Sequence, residues 1–360
     1  MTQMFANDPS YMQAWLAFAD SERPGSPSFA FPETRFGSIR SFGPDSSSGE
    51  ASMEARLQPA AQVVEQRGID LIRAYPLVTG VAASLRFQNG EIKGNEPCIT
   101  FFVSEKLPVT TMGTSGIPSK IDGVATDVVA AGTPVALATT APTPGVRSSP
   151  VEPGSSISHS RISSGTFGCL VEDASSQYLL SCAHVVSDAA AVNGDAILHP
   201  GTYYGGVLPA DKIAELTKTI SLTTGNSIAD AGIAKVMGKS KVTPNIKGIG
   251  KPTGTRALNS VGVLVQKSGD KTGLTHGVVV GLKGTVGPLQ INGVANVYFT
   301  DSIITTGMSE PGDSGALLMD YQKKAIGLLF AGLQSGGAYV VSWYSPIDTV
   351  LTNLGVSLVT

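Results

Sequence analysis

Pro311-Gly312-Asp313-Ser314-Gly315-Ala316-Leu317-Leu318 sets a serine between two glycines, with an acid before it and an apolar run behind it. Glycine carries no Cβ, so the backbone there can turn sharply and come close to a ligand. Successive amides at such a turn converge on one point, where they can hold a developing oxyanion. Ala316-Leu317-Leu318-Met319 reads as a buried strand that anchors the turn. Standing alone, the stretch would read more plainly as a surface Gly-Asp-Ser-Gly turn. Its meaning depends on what else the chain carries.

A serine hydroxyl is a weak nucleophile and needs a base to take its proton. The chain has four histidines, His159, His184, His199 and His276. His159 stands in a Ser/Pro/Gly-rich stretch, His199 precedes Pro200-Gly201, and His276 lies in a Thr/Gly-rich segment. His184 follows Tyr178-Leu179-Leu180-Ser181-Cys182-Ala183 and precedes Val185-Val186, at the end of a strand that can aim its ring. Together, Ala183-His184 and Gly312-Asp313-Ser314-Gly315 resemble the chymotrypsin-like serine endopeptidases. The resemblance covers residues 165–360.

The resemblance implies a third member between histidine and serine in the chain, in the order His…Asp…Ser. Asp230, in Ser227-Ile228-Ala229-Asp230-Ala231-Gly232-Ile233-Ala234, heads an apolar run; Asp188, Asp195, Asp211 and Asp301 compete with it, and none begins such a strand. Lys267-Ser268-Gly269-Asp270-Lys271-Thr272-Gly273-Leu274-Thr275-His276-Gly277 resembles a Gly/Thr-rich turn of bacterial members. The family fold would be two β-barrels with the site in the crevice between them, His184 and Asp230 from the first and Ser314 from the second. Ser314 would attack a peptide carbonyl, His184 take its proton, Asp230 fix the imidazole, and the amides of Gly312 and Ser314 form the oxyanion hole. The primary pocket would be walled by Met308, Ser309, Phe330, Ala331 and Gly332, an apolar slot suited to residues such as leucine, alanine or valine. Secreted members mature by exposing a new Ile/Val N-terminus that pairs with the acid before the serine, here Asp313. No Ile-Val-Gly-Gly sequence occurs near residue 150, so Asp313 needs another partner or activation differs. A competing reading is a silent barrel that binds or scaffolds peptides without turnover.

Composition narrows the remaining choices. A net charge of −3 with 15% charged residues gives no basic excess, so nucleic acid is not an expected partner. Forty-two glycines among 360 residues favour a turn-rich β protein. Cys98, Cys169 and Cys182 do not form a disulfide framework and read as free thiols in a reducing compartment. No apolar run reaches the ~18 residues of a membrane span. No lysine or arginine precedes Arg23, which argues against a secretory leader although Ala17-Phe18-Ala19 imitates a cleavage site. The expected location is cytoplasmic rather than secreted. No cofactor or metal is expected, and the expected substrate is a polypeptide.

Along the chain, Asp8 and Pro9 with the stripe Tyr11, Met12, Trp15, Leu16 and Ala19 predict a short helix in residues 1–22. It reads as packing on the chain's own body or docking a regulatory partner. Residues 22–52 are Ser/Pro/Gly-rich and read as flexible. Residues 53–75 read as helix broken at Pro59, with Val63, Val64, Ile69 and Ile72 apolar and Pro76 ending it. Strands are predicted over Val78 to Phe87, Ile99 to Val103 and Thr126 to Val129, with Asn89-Gly90 as a hairpin turn and Ile121-Asp122-Gly123 as another. This small α+β domain, about 53–135, resembles the N-terminal domain of intracellular proteases of the plant narrow-leaf type and their bacterial relatives. Residues 136–165 read as a Pro/Gly/Ser-rich linker. From 166 to 360, short apolar runs alternate with Gly/Asn/Pro turns, giving a mainly β domain closed by a helix over Pro346 to Leu354.

Overall fold

Met53, Leu57, Ala60, Val64 and Leu71 recur at helical spacing, and burying that stripe organises the first described element, helix α1 (Ser47–Ala74). In the computed structural model, which describes residues 47–88, 91–105, 116–136, 147–238, 241–335 and 338–360, α1 runs unbroken through Pro59. The expected break does not occur. Ala60, Ala61, Val63 and Val64 after the proline are all buried, and one fully buried aliphatic side chain is worth roughly 1.5–3 kcal/mol, enough to offset the lost backbone bond. Residues 47–52, read as flexible, already belong to this helix. The predicted helix within residues 1–22 lies outside the described residues.

Strands β1 (Val78–Gln88) and β2 (Glu91–Val103) form the expected hairpin, with Gln88 opposite Glu91; its Asn89-Gly90 turn lies outside the described residues. β3 (Lys120–Ile121) and β4 (Val124–Ala130) flank a turn with Asp122 and Gly123 at positive φ, and β5 (Thr133–Ala136) follows. Helix α1 closes over this sheet, packing Ala60, Val64, Leu71 and Ile72 against Val81, Ala83, Ile99 and Phe101.

The first barrel holds β6 (Ser156–His159), β7 (Gly165–Thr166), β8 (Cys169–Glu172), β9 (Gln177–Ser181), the one-turn helix α2 (Ala183–Val186), β10 (Ala196–Leu198) and β11 (Lys212–Thr219). After β12 (Gly225–Ser227) it closes with β13 (Gly232–Val236). Residues 147–165, read as linker, belong to this barrel instead. β6 is buried along its whole length, and Arg147 is fixed to Asp211 by hydrogen bonds of 2.8 Å from both Nε and Nη2. Serine and glycine there mark close backbone packing rather than freedom, which composition alone does not distinguish.

The second barrel holds β14 (Gly254–Thr255), β15 (Leu264–Gly269), β16 (Gly273–Ile291), β17 (Val294–Thr306), β18 (Leu317–Asp320), β19 (Lys324–Ser335) and β20 (Ala338–Pro346). β16 is far longer than the short runs expected of this part of the chain, because its register shifts carry it past Gly281, Gly284 and Pro288 without ending it. Its extra length reaches the N-terminal unit. β1 pairs with β16, Gly80 opposite Val286 and Ser84 opposite Gly281, so the α+β unit and the second barrel share one sheet. Phe102 meets the ring of Trp343 edge-on at 5.5 Å across that join. Helix α3 (Ile347–Leu354) buries Ile347, Val350, Leu351 and Leu354 and ends on Gly355 at φ +76°. Its last carbonyls accept bonds from Lys218 Nζ, a cation placed at the negative end of the helix. β21 (Ser357–Leu358) then pairs with β8, returning the chain to the first barrel. The architecture is mainly β, two chymotrypsin-like barrels preceded by a small α+β unit. Among the described residues no helix is long and apolar enough to cross a membrane.

Candidate active site

His184 and Asp230 are brought together by ordinary sheet pairing. β9 lies between β8 and β13, and Ser181 at its end stands opposite Gly232 at the start of β13. His184, three positions past Ser181, and Asp230, two before Gly232, are thereby brought to the same end of the sheet. The His184 backbone N–H donates to Asp230 Oδ1 at 3.1 Å, and His184 Nδ1–H donates to Asp230 Oδ2. A carboxylate accepts only, so this contact puts the ring's proton on Nδ1 and its lone pair on Nε2. Nε2 is buried and has no hydrogen-bond partner among the described residues, which leaves it open to take a proton. Asp230 is fully buried, and two donors on its two oxygens meet the cost of holding a charge there.

Ser314 sits on the turn before β18, and the turn is shaped by two glycines. Gly315 has φ +92°, and a Cβ on it would fall 2.1 Å from Ser181 Oγ and 3.2 Å from Cys182 N. Only a residue without a side chain lets the serine turn lie directly against the segment that leads into His184. Gly312 has φ +112°. Thr166 holds the turn from the first barrel: its N–H donates to Ser314 O at 2.7 Å and its Oγ1 to Gly312 O at 2.9 Å. Asp313 O accepts from Ala316 N at 2.9 Å, and in a trans peptide this points the Ser314 amide the opposite way.

Asp313 has the partner that the sequence left open. Lys267 Nζ donates to its Oδ2 at 2.9 Å, and both side chains are fully buried. Thr272 Oγ1 donates to Oδ2 at 2.7 Å, as does the amide of Glu310 at 3.0 Å; the amides of Lys271 and Thr272 donate to Oδ1 at 2.9 and 3.1 Å. Burial pushes the Lys267 ammonium below its usual pKa, and Asp313 pulls it back up. Reading the 267–277 stretch as a turn missed this role. The signal was in the alternation, since Val265 and Lys267 share one face of β15 and Val265, with Val263 just before the strand, packs into a core. A lysine on an inward face requires a buried counter-charge.

Asp270 lies on the same turn. Its N–H donates to Thr166 Oγ1 at 2.9 Å, and its carboxylate accepts from Ser164 Oγ at 3.4 Å. Burial, with Asp313 nearby, pushes its pKa up to about 6, against the opposing pull of the Tyr204 hydroxyl, Lys247 and Ser164. A folded-state pKa above the unfolded one means that the folded protein binds the extra proton. Stability from this group is therefore complete near pH 4 and lost as pH rises through about 6. Asp270→Asn is expected to raise the Tm by a few degrees at pH 8 and to leave it unchanged at pH 4, measured by thermal melts at both. An equal shift at the two pH values would contradict the account.

The remaining polar candidates are engaged. His159 Nε2 pairs with Asp195 at 3.0 Å, His199 Nδ1 with Ser156 O at 2.7 Å, and His276 Nδ1 with Tyr321 Oη at 2.8 Å. Of the expected pocket walls, Met308, Ser309, Phe330 and Ala331 are buried. Ser309 Oγ meets Ser342 Oγ at 2.6 Å, and Ser342 Oγ accepts from Met308 N at 3.2 Å. The Phe330 ring packs on Phe299 at 4.6 Å in the core, so this residue, with Ala331 and Gly332, offers backbone rather than a side-chain wall. Ligand atoms of Cys182, His184 and Asp230 lie within 4.8 Å of one another, a donor set suited to a soft divalent metal. Here Cys182 Sγ–H donates to Leu329 O at 2.9 Å and burial keeps that thiol protonated, while His184 Nδ1 and Asp230 are bonded to each other. The three cysteines are free and buried.

The family model described as trypsin matches residues 146–353, over half of the chain. No curated protein matches its sequence. Among solved structures, Thermobifida fusca protease A is similar at 20% identity and a TM-score of 0.45, over 58% of this chain and 100% of that one. Cellulomonas bogoriensis chymotrypsin is similar at 19% and 0.44, again over 58% and 100%. A Nocardiopsis protease is similar at 17% and 0.45 over the same shares.

Proposed function

The chain belongs to the trypsin family, and from that premise we propose that it is a serine endopeptidase acting on polypeptides through Ser314, His184 and Asp230. The observation that carries this reading is the buried His184–Asp230 hydrogen bond with Nε2 left unengaged, beside a serine turn shaped by Gly312 and Gly315. Ser314 Oγ bonds to the peptide carbonyl carbon while its proton passes to His184 Nε2. The negative charge moves to the carbonyl oxygen, where the amides of Gly312 and Ser314 receive it. The C–N bond breaks as His184 protonates the leaving amine, and water then cleaves the acyl ester by the same route in reverse. Asp230 holds the ring and balances the imidazolium.

The pocket beside Ser314, with Met308 and the Ser309–Ser342 pair, offers no charged side chain among the residues assigned to it, which favours an apolar residue at the cleaved bond. Regulation through the N-terminal unit is supported by the sheet it shares with the second barrel. Three free thiols favour a reducing, cytoplasmic setting.

A fluorophosphonate probe tests the reading against a silent peptide-binding barrel. The intact chain is expected to be labelled, and Ser314→Ala to lose both labelling and casein hydrolysis while keeping its melting curve. Labelling that persists in Ser314→Ala would place the nucleophile elsewhere, and no labelling of the intact chain would favour the silent barrel.

A further inference from the structure

β19 has one edge covered by β20 from Gly327 opposite Pro346 to Ser335 opposite Ala338, with β14 pairing at Lys324 and Ala325. The other edge is shared. β18 covers Ala325 to Leu328, and the serine turn follows, with Gly315 N donating to Leu329 O at 2.8 Å and Leu329 N to Ala316 O at 3.0 Å. Beyond it comes β5, antiparallel, with Ala136 opposite Ala331, Val135 opposite Gly332, Pro134 opposite Leu333 and Thr133 opposite Gln334. Two strands thus meet end to end on one edge, and the Ser314 turn lies at their junction. β5 runs so that Ala136, its last residue, is the end nearest the serine.

An extended polypeptide that uses main-chain bonds to reach Ser314 has to add to this same edge, because the opposite edge is filled. We infer that β5 is a built-in occupant of the substrate groove, a strand this chain lays over its own β19 where a polypeptide substrate must lie. The inference rests on Ser314 being the nucleophile.

A second observation concerns how the strand is held. Ala131 N and Gly132 N both donate to Val103 O, at 2.9 and 3.1 Å, and Thr79 Oγ1 donates to Gly132 O at 3.0 Å. Gly132 has φ +81°, the turn that aims the strand across to β19. The N-terminal unit therefore sets the register of β5 at its start, while among the described residues its serine-facing end takes its strand pairing from β19. Pro134 brings no amide to the ladder, as is tolerated at a sheet edge, and this makes β5 a releasable strand. Tethering gives it an effective concentration in the millimolar range, against which a dissolved substrate must compete. The N-terminal unit would thus act as a competitive brake, relieved when β5 lifts away.

The test uses the full chain carrying Ser314→Ala, so that nothing is cleaved, and fluorescein-labelled Ala-Gly-Thr-Pro-Val-Ala, the sequence of residues 131–136, as the probe. Val135→Pro removes an amide and the extended pairing from β5. The Kd of the probe by anisotropy is expected to fall about tenfold or more in that variant, since the groove is then open in a larger fraction of molecules. Amide exchange at Ala331 to Gln334 is expected to speed up in Val135→Pro and to slow again when the probe is added. Should Val135→Pro not fold, Ala136→Pro changes only the last residue of the strand and gives the same readouts. An unchanged Kd with unchanged exchange would overturn the inference. Because the probe binds without turnover, that result indicts the strand, whereas absent fluorophosphonate labelling indicts the serine.

Discussion

Replacing His184 by alanine is expected to lower kcat about 10⁶-fold, as far as Ser314→Ala does, because members of such a set act as one unit. Asp230→Asn is expected to fall less, about 10⁴-fold. The reason lies in the two acceptors of Asp230. Oδ1 takes the His184 backbone N–H and Oδ2 takes Nδ1–H, and an amide has one oxygen where the carboxylate has two. If that oxygen stays with the backbone, the amide NH₂ faces Nδ1 and forces the proton to Nε2, the atom that must accept from serine. If it turns to the ring, the buried backbone N–H loses its partner, at a cost of ~1–3 kcal/mol. Single-turnover rates for the three variants, with circular dichroism to confirm folding, would check this. An Asp230→Asn variant as active as the intact chain would remove Asp230 from the mechanism.

Lys267→Met is expected to be damaging by a different route, with a smaller loss of rate and a larger loss of stability. Asp313 would remain at the centre of its cage with four neutral donors and no cation. Removing one member of a buried pair typically costs ~3–5 kcal/mol. Asp313 is bonded at its side chain to the Lys267–Thr272 strand and turn, while its backbone lies between the two amides assigned to the oxyanion. Losing the cation is therefore expected to disorder the turn, lowering kcat by ~10²–10³-fold, the worth of one oxyanion donor, with a smaller effect on KM. Pairing Lys267→Met with Asp313→Asn removes the stranded charge, so it is expected to recover much of the stability but little of the activity. Denaturant melts alongside kcat and KM would separate the two effects. Full activity in Lys267→Met would show that the serine turn holds its shape without the ion pair.

What the sequence disclosed and what it hid follow a physical division. His184, Asp230 and Ser314 each carry a local signature: a polar residue ending or opening an apolar strand, or one caught between glycines. Sheet pairing then decides whether such residues meet, and for His184 and Asp230 it does. Lys267 was hidden because its partner lies 46 positions away and its neighbours suggest a turn. Residues 147–165 were misjudged because Pro, Gly and Ser describe equally a free segment and one packed too tightly for larger side chains. The helix was expected to break at Pro59 because local propensity was weighed without the sheet that α1 covers. The end-to-end meeting of β5 and β18 on one edge is a property of register, which no single stretch of sequence contains.

The sheet shared by β1 and β16 means that the unit recognised by kinship is smaller than the unit that folds. The family match begins at residue 146, but the residues of β16 from Gly281 to Val286 find their backbone partners in β1, and Trp343 rests on Phe102. A chain cut down to the matched span would present that stretch as a bare, aromatic-backed border, the kind of surface along which protein molecules zip together. Anyone shortening this protein to its enzyme-like half should meet self-association before meeting loss of chemistry.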